Sequence, residues 1–122
     1  MIGQAWLARH GETEWNRQGR RQGQLDSPLT QEGIEQARRT ADTLAGQPID
    51  ALFASPQGRA TATAQPIADV LGLPVRQLAE LREVDHGRVA GLTNGEIARA
   101  FPDLVARRAR DKYRCRFPGG ES

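Results

Sequence analysis

Cysteine is nearly missing from this chain. Cys115 stands alone, which excludes a disulfide framework and any zinc site built from several cysteines. Long apolar runs are missing too: no stretch approaches the roughly 20 residues that a membrane-spanning helix needs. Met1 to His10 carry no basic region followed by an apolar stretch, so nothing there reads as a secretory signal, and a cytoplasmic location is the expectation. Internal repeats and low-complexity tracts are absent from the sequence, and lysine is reduced to Lys112. The other 16 of the 17 basic residues are arginine.

What is present fits one globular domain. The 122 residues are 38% hydrophobic and 26% charged, the proportions of a soluble protein with a single core. The net charge, 17 minus 15, is only +2, too small to imply nucleic acid. Guanidinium is a planar, permanently charged fork suited to phosphate oxygens, although an arginine-rich composition can equally be a general habit of a proteome. Between Arg107 and Arg116 six basic residues face only Asp111. Such a run can meet RNA, a membrane surface or an anionic substrate, but without an aromatic-rich motif beside it a solvated helix face is favoured.

Patterning predicts the elements. Ala5–Ala8 reads as a buried strand running into Arg9, His10 and Gly11. Glu12 to Pro28 reads as a loop with one helical turn. Ile34, Ala37, Ala41 and Leu44 recur at helical spacing, with Thr30 as cap and Gly46 and Pro48 as stop. Ile49–Ala54 reads as a second strand, and Ser55 with Pro56 opens a helix that runs to Leu71, with a kink or break at Pro66 and Gly72 beyond its end. Val75–Leu78 is a third strand. Thr93 and Glu96 form a capping box for a short helix to Phe101, and another begins near Asp103.

Alternating strand and helix predict an α/β layer fold with a mainly parallel sheet, in which ligands sit beyond the carboxyl ends of the strands. His10 follows the first strand and Arg59 opens the helix after the second, so both are expected at the same sheet edge. Neutral imidazole is a competent nucleophile near pH 7. Its attack on a phosphate ester gives a phosphohistidine, and arginines can neutralise the three phosphoryl oxygens without a metal. Taken alone, a histidine beside an arginine is more often a structural pair.

Four ordered segments change that weighting. Leu7-Ala8-Arg9-His10-Gly11-Glu12-Thr13-Glu14-Trp15-Asn16 resembles the opening signature of the histidine phosphatase superfamily, phosphoglycerate-mutase-like branch. Gln22 to Thr30, Ser55 to Ala64 and Leu81 to Gly87 follow in that family's order. The resemblance implies a three-layer α/β/α fold, phosphoglycerate-mutase-like and incomplete at the C-terminus. It implies that His10 is the phosphorylated nucleophile, that Arg9 and Arg59 grip the phosphoryl group, and that Asn16 adds a neutral donor. Glu83 takes the acid/base role, and Gln22 and Gly23 line the substrate entrance. No cofactor and no metal are implied, and the partner is a small phosphorylated substrate, with no nucleic acid or membrane; a homodimer stays open.

Two departures stand beside the resemblance. The family brings a second histidine from a later strand, whereas His86 lies too early and reads as a packing or surface residue near Glu83. Val89 and Ala90 stand where related phosphatases carry an aromatic and an acidic residue before the glycine matched to Gly91. Phe117 to Ser122 resembles the segment that launches a further helix, so residues 1–122 are expected to be one histidine-phosphatase-like domain that stops before the strand bearing the second histidine. The leading expectation is a metal-independent phosphomonoesterase. A phosphoglycerate-type mutase and a non-catalytic phosphate-binding domain are the alternatives.

Overall fold

The computed structural model describes residues 3–122. Its first regular element is a single short helix, α1 (Glu14–Gln18), the one turn expected in the Glu12–Pro28 stretch. A capping box closes it: Thr13 Oγ1 accepts the Asn16 N–H at 3.1 Å, and Asn16 Oδ1 accepts the Thr13 N–H at 3.0 Å. Gly19, at φ 70°, ends it in the left-handed region that glycine enters without a Cβ penalty.

Helix α2 (Gln31–Leu44) begins where the sequence places it, with Thr30 Oγ1 accepting the Gly33 N–H at 3.0 Å. Its buried stripe is Ala37, Ala41 and Leu44, of which Ala41 and Leu44 join Ile67 of helix α3 (Gly58–Leu71) in the first core, with Ile49, Leu52 and Leu71 at its margin. Alanines let the two helices approach closely. Gly33 continues the buried face one turn earlier: a Cβ there would collide with the Glu12 backbone, and one at Gly11 with the Gly33 carbonyl. The chain just after His10 is thereby seated on α2 backbone to backbone.

Strands β1 (Leu52–Ala54) and β2 (Val75–Gln77) flank α3 in sequence and pair in parallel, Leu52 opposite Val75 and Ala54 opposite Gln77. This is a β-α-β unit. The strand expected from Ile49 starts three residues later, and α3 starts at Gly58 with Gln57 as cap, not at Ser55–Pro56. The reason is local: Ser55 Oγ accepts the Gln57 N–H at 3.2 Å and so closes a turn instead of capping the helix. Arg59 still falls in the first helical turn. Pro66 neither breaks nor ends α3, which runs on to Leu71 although the proline cannot donate to the Ala62 carbonyl.

The Ala5–Ala8 strand is not formed. A strand needs a partner for its ladder, and among the described residues β1 pairs only with β2. Residues 3–9 are exposed instead, Leu7 almost completely at 99%. The two-stranded sheet is therefore the described part of the α/β architecture.

The C-terminal third builds a second core. Helices α4 (Asn94–Ala100) and α5 (Pro102–Arg110) follow two 3₁₀ turns, Ala79–Leu81 and Gly87–Val89. The expected Thr93–Glu96 capping box is present, with Thr93 Oγ1 accepting the Glu96 N–H at 3.2 Å. Val89, Ile97, Leu104, Cys115 and Phe117 pack together, and burial of Val89 and Leu104 contributes about 2 kcal/mol each. Of the basic run, Arg107, Arg108 and Arg110 close α5 and the remainder lies beyond its end. No helix among the described residues is long and apolar enough to cross a membrane.

Candidate active site

His10 is half-buried, and its Nδ1 lies 2.7 Å from the carbonyl oxygen of Gly11. A carbonyl only accepts, so Nδ1 carries a proton, and in the neutral ring Nε2 is the nitrogen with the lone pair. The backbone around the ring is pinned on both sides. Gly11 N–H donates to Thr63 Oγ1 at 2.9 Å, that hydroxyl donates to the Arg59 carbonyl at 2.8 Å, and Glu12 N–H donates to Gln36 Oε1 at 2.8 Å. The imidazole thus follows a backbone segment fastened to both α2 and α3.

Arg9, His10 and Asn16 line one open cleft of about 850 Å³ together with Glu12, Gln36 and Arg39. Asn16 spends its carbonyl oxygen on the α1 cap and retains the amide N–H donors. Glu12 adds a carboxylate to the rim. The Thr30 hydroxyl, which donates to Glu12 Oε1 at 2.8 Å, and the nearby Arg17 hold that carboxyl below its ordinary range.

Arg59 lines a second cleft of about 800 Å³, with Asp26, Arg38, Gln65 and Asp69. Its guanidinium is buried at 4% exposure and is already engaged. Nη1 donates to the Leu25 carbonyl at 2.7 Å and to Asp26 Oδ1 at 3.2 Å, and Nη2 donates to the Gly23 carbonyl at 2.7 Å. The backbone N–H of Arg59 also reaches the Asp26 carboxylate. Arg59 therefore organises the Gly23–Asp26 loop, and its link to His10 runs through Thr63 and Gly11.

The entrance residues meet the Glu83 loop. Gln22 is buried and accepts the Ser27 hydroxyl at 3.0 Å. Gly23, at φ 56°, lies so close to Val84 and His86 that a Cβ would come within 2.9 Å of the His86 ring. Glu83 is exposed; its N–H donates to Gln57 Oε1 at 3.2 Å and its own Oε1 accepts the Val84 N–H at 2.9 Å. Gln57 went unassigned in the sequence, where only its place two residues before Arg59 singled it out.

His86 packs as expected of a structural residue, its ring 4.7 Å from that of Phe117, over which the Arg108 guanidinium stacks at 4.3 Å. Its Nδ1 is buried without a hydrogen-bond partner. Burial, then the charge of Arg21, lowers its pKa, with Arg108 adding to them and Glu83 and Asp85 opposing. Folding therefore favours the neutral ring: this contribution to stability is complete above the ordinary value of 6.5 and is lost as pH falls from there towards the folded pKa. A His86→Phe variant is expected to lose less stability than the parent between about pH 7.5 and about pH 5.5, as read from urea midpoints.

The model of the Histidine phosphatase superfamily (branch 1) matches residues 5–122. The chain belongs to this family. A similar histidine phosphatase relative is Phosphoserine phosphatase 1 of Hydrogenobacter thermophilus, 36% identical over 116 residues, which are 95% of this chain and 55% of that one. A protein of Enterobacter sp. (strain 638) bearing the name probable phosphoglycerate mutase is 46% identical over 84 residues, 69% of this chain and 39% of its own. Among solved structures, a mycobacterial glucosyl-3-phosphoglycerate phosphatase in complex with VO3 superposes with a TM-score of 0.84 at 34% identity, over 93% of this chain and 56% of that one. The chain spans about half the length of the curated phosphatase relatives it matches. In this histidine phosphatase chain Val89 is wholly buried in the second core, and Gly91 packs on the Trp15 ring, so the Val89–Gly91 segment serves packing.

Proposed function

We propose that the protein is a metal-independent phosphomonoesterase that hydrolyses a small phosphorylated metabolite through a phosphohistidine on His10. The observation that supports this reading most is the Nδ1 contact to the Gly11 carbonyl, which leaves Nε2 as the nucleophilic nitrogen in a cleft shared with Arg9 and Asn16. Nε2 attacks phosphorus, the ester P–O bond breaks, and the Glu83 carboxylic acid delivers its proton to the departing alkoxide. Water then attacks the phosphohistidine, gives a proton to the Glu83 carboxylate, and releases inorganic phosphate with neutral imidazole. Arg9 and Asn16 supply the cation and the neutral donor to the phosphoryl oxygens. Arg59 is assigned the second cation by the family resemblance; its guanidinium, which lines the neighbouring cleft, would have to exchange the Gly23 and Leu25 carbonyls and the Asp26 carboxylate for the phosphoryl oxygens.

The mutase reading draws on the resemblance to the Enterobacter protein, in whose case the phosphoryl group would pass to an acceptor hydroxyl. The two separate in one assay. With the full-length protein, chelator present, inorganic phosphate is expected from small monoesters such as phosphoserine or glycerol phosphates. Interconversion of phosphoglycerates without phosphate release would establish the mutase instead, and saturable phosphate binding with neither activity would establish the non-catalytic domain.

A further inference from the structure

We propose that Gln57 is a positioning residue for the acid/base step, its side-chain oxygen fixing the backbone of Glu83 against the loop that carries Gly23. The inference rests on the phosphohistidine reading above and extends it to a residue with no assigned role.

Gln57 is buried at 9% exposure, and its amide is used at both ends. Oε1 accepts the Glu83 N–H at 3.2 Å, the Ser55 hydroxyl at 3.1 Å and a long contact from Arg59 Nη2 at 3.4 Å; Nε2 donates to the Gly23 carbonyl at 2.8 Å. Only this orientation of the amide works. A flip would set the NH2 group against the Glu83 N–H and the Arg59 guanidinium and leave a carbonyl facing a carbonyl. Ser55 Oγ also accepts the Gln57 backbone N–H at 3.2 Å, which holds the side chain to its own turn.

Three segments distant in sequence converge on this amide: the Glu83 loop, the Gly23 loop and the first turn of α3. Glu83 is otherwise an exposed loop carboxylate whose only side-chain bond is to the next residue's N–H. Proton delivery to a leaving oxygen demands hydrogen-bond reach, so the rate depends on where this backbone is held. Gln57 touches no reacting atom in this scheme. It acts through Glu83.

Leaving-group dependence isolates that role. An alkoxide must be protonated as it departs, whereas p-nitrophenolate leaves unaided, so misplacement of the acid lowers kcat/KM for the alkyl ester selectively. In the full-length protein, Gln57→Met, which fills similar volume without hydrogen bonding, is expected to lower kcat/KM about 10- to 100-fold for an alkyl phosphate and less than about 3-fold for p-nitrophenyl phosphate, with Glu83→Gln giving the same pattern more strongly. Gln57→Glu keeps an acceptor for the Glu83 N–H while losing the donor to Gly23. It is expected to raise KM for both esters and to preserve the parent's alkyl-to-aryl ratio, which also decides the matter should the methionine variant fail to fold. Equal losses on both esters in Gln57→Met, or an alkyl-selective loss in Gln57→Glu, overturn the inference while Glu83→Gln remains selective. If Glu83→Gln itself loses both activities equally, the acid/base assignment fails first and the inference falls with it.

Discussion

Replacement of His10 by alanine is expected to lower kcat/KM for phosphate monoesters by ~10⁴-fold or more, the scale on which removal of a catalytic nucleophile acts. The loss comes from one atom. Nε2 forms the bond to phosphorus, and alanine carries no nucleophile to replace it. Stability is expected to move little, because the ring is half-buried, belongs to neither core and makes its one side-chain hydrogen bond to the neighbouring carbonyl. Steady-state kinetics beside a thermal melt checks both halves of this expectation. A variant that is well folded and retains more than about a tenth of the parental kcat/KM would remove His10 from the mechanism.

Arg59→Ala is expected to show the opposite balance, a large stability cost accompanying the loss of activity. The substitution leaves the Gly23 and Leu25 carbonyls without their guanidinium donors and strips Asp26 of its cation. A buried pair broken at one end costs about 3 to 5 kcal/mol. Asp26 is about one-third exposed and regains water, so about 3 kcal/mol is the expected total, lost hydrogen bonds included. Arg59→Lys keeps a charge but not the planar fork that spans the Gly23 and Leu25 carbonyls and the Asp26 carboxylate, and should recover only part of the loss. Urea denaturation of the two variants reads these differences. A change under about 0.5 kcal/mol in Arg59→Ala would mean that the Gly23–Asp26 loop is held elsewhere.

The parts of the fold legible in the sequence were those with local causes. The Thr30 cap, the alanine and leucine stripe and the stop near Gly46 all act within one or two turns, and α2 has the expected bounds. The Thr93–Glu96 box marked α4 for the same reason. Ala5–Ala8 failed because a strand is a relation between segments: a short apolar run stays exposed where no neighbouring ladder pairs with it, and two of its four residues are alanines with little strand preference. Ser55 misled by being a good cap residue that closes a turn one step earlier.

The candidate site divides along the same line. Arg9, His10 and Asn16 lie within one short motif, which the family resemblance singled out as a group, and they share a cleft. The bonds from Arg59 to Gly23 and Leu25, and those joining Gln57 to Glu83 and Gly23, link positions 26 to 36 residues apart, and no periodicity reports them. The place of Gln57 within the Arg59 motif gave the one local hint.

The central claim is that His10 carries the phosphoryl group, and trapping the enzyme on that intermediate tests it most directly. The full-length protein, mixed with a ³²P-labelled monoester and quenched rapidly in alkali, is expected to retain label that survives base, is released by acid, and maps to the peptide containing His10. Label that is stable to acid, or that persists unchanged in His10→Ala, would contradict the account.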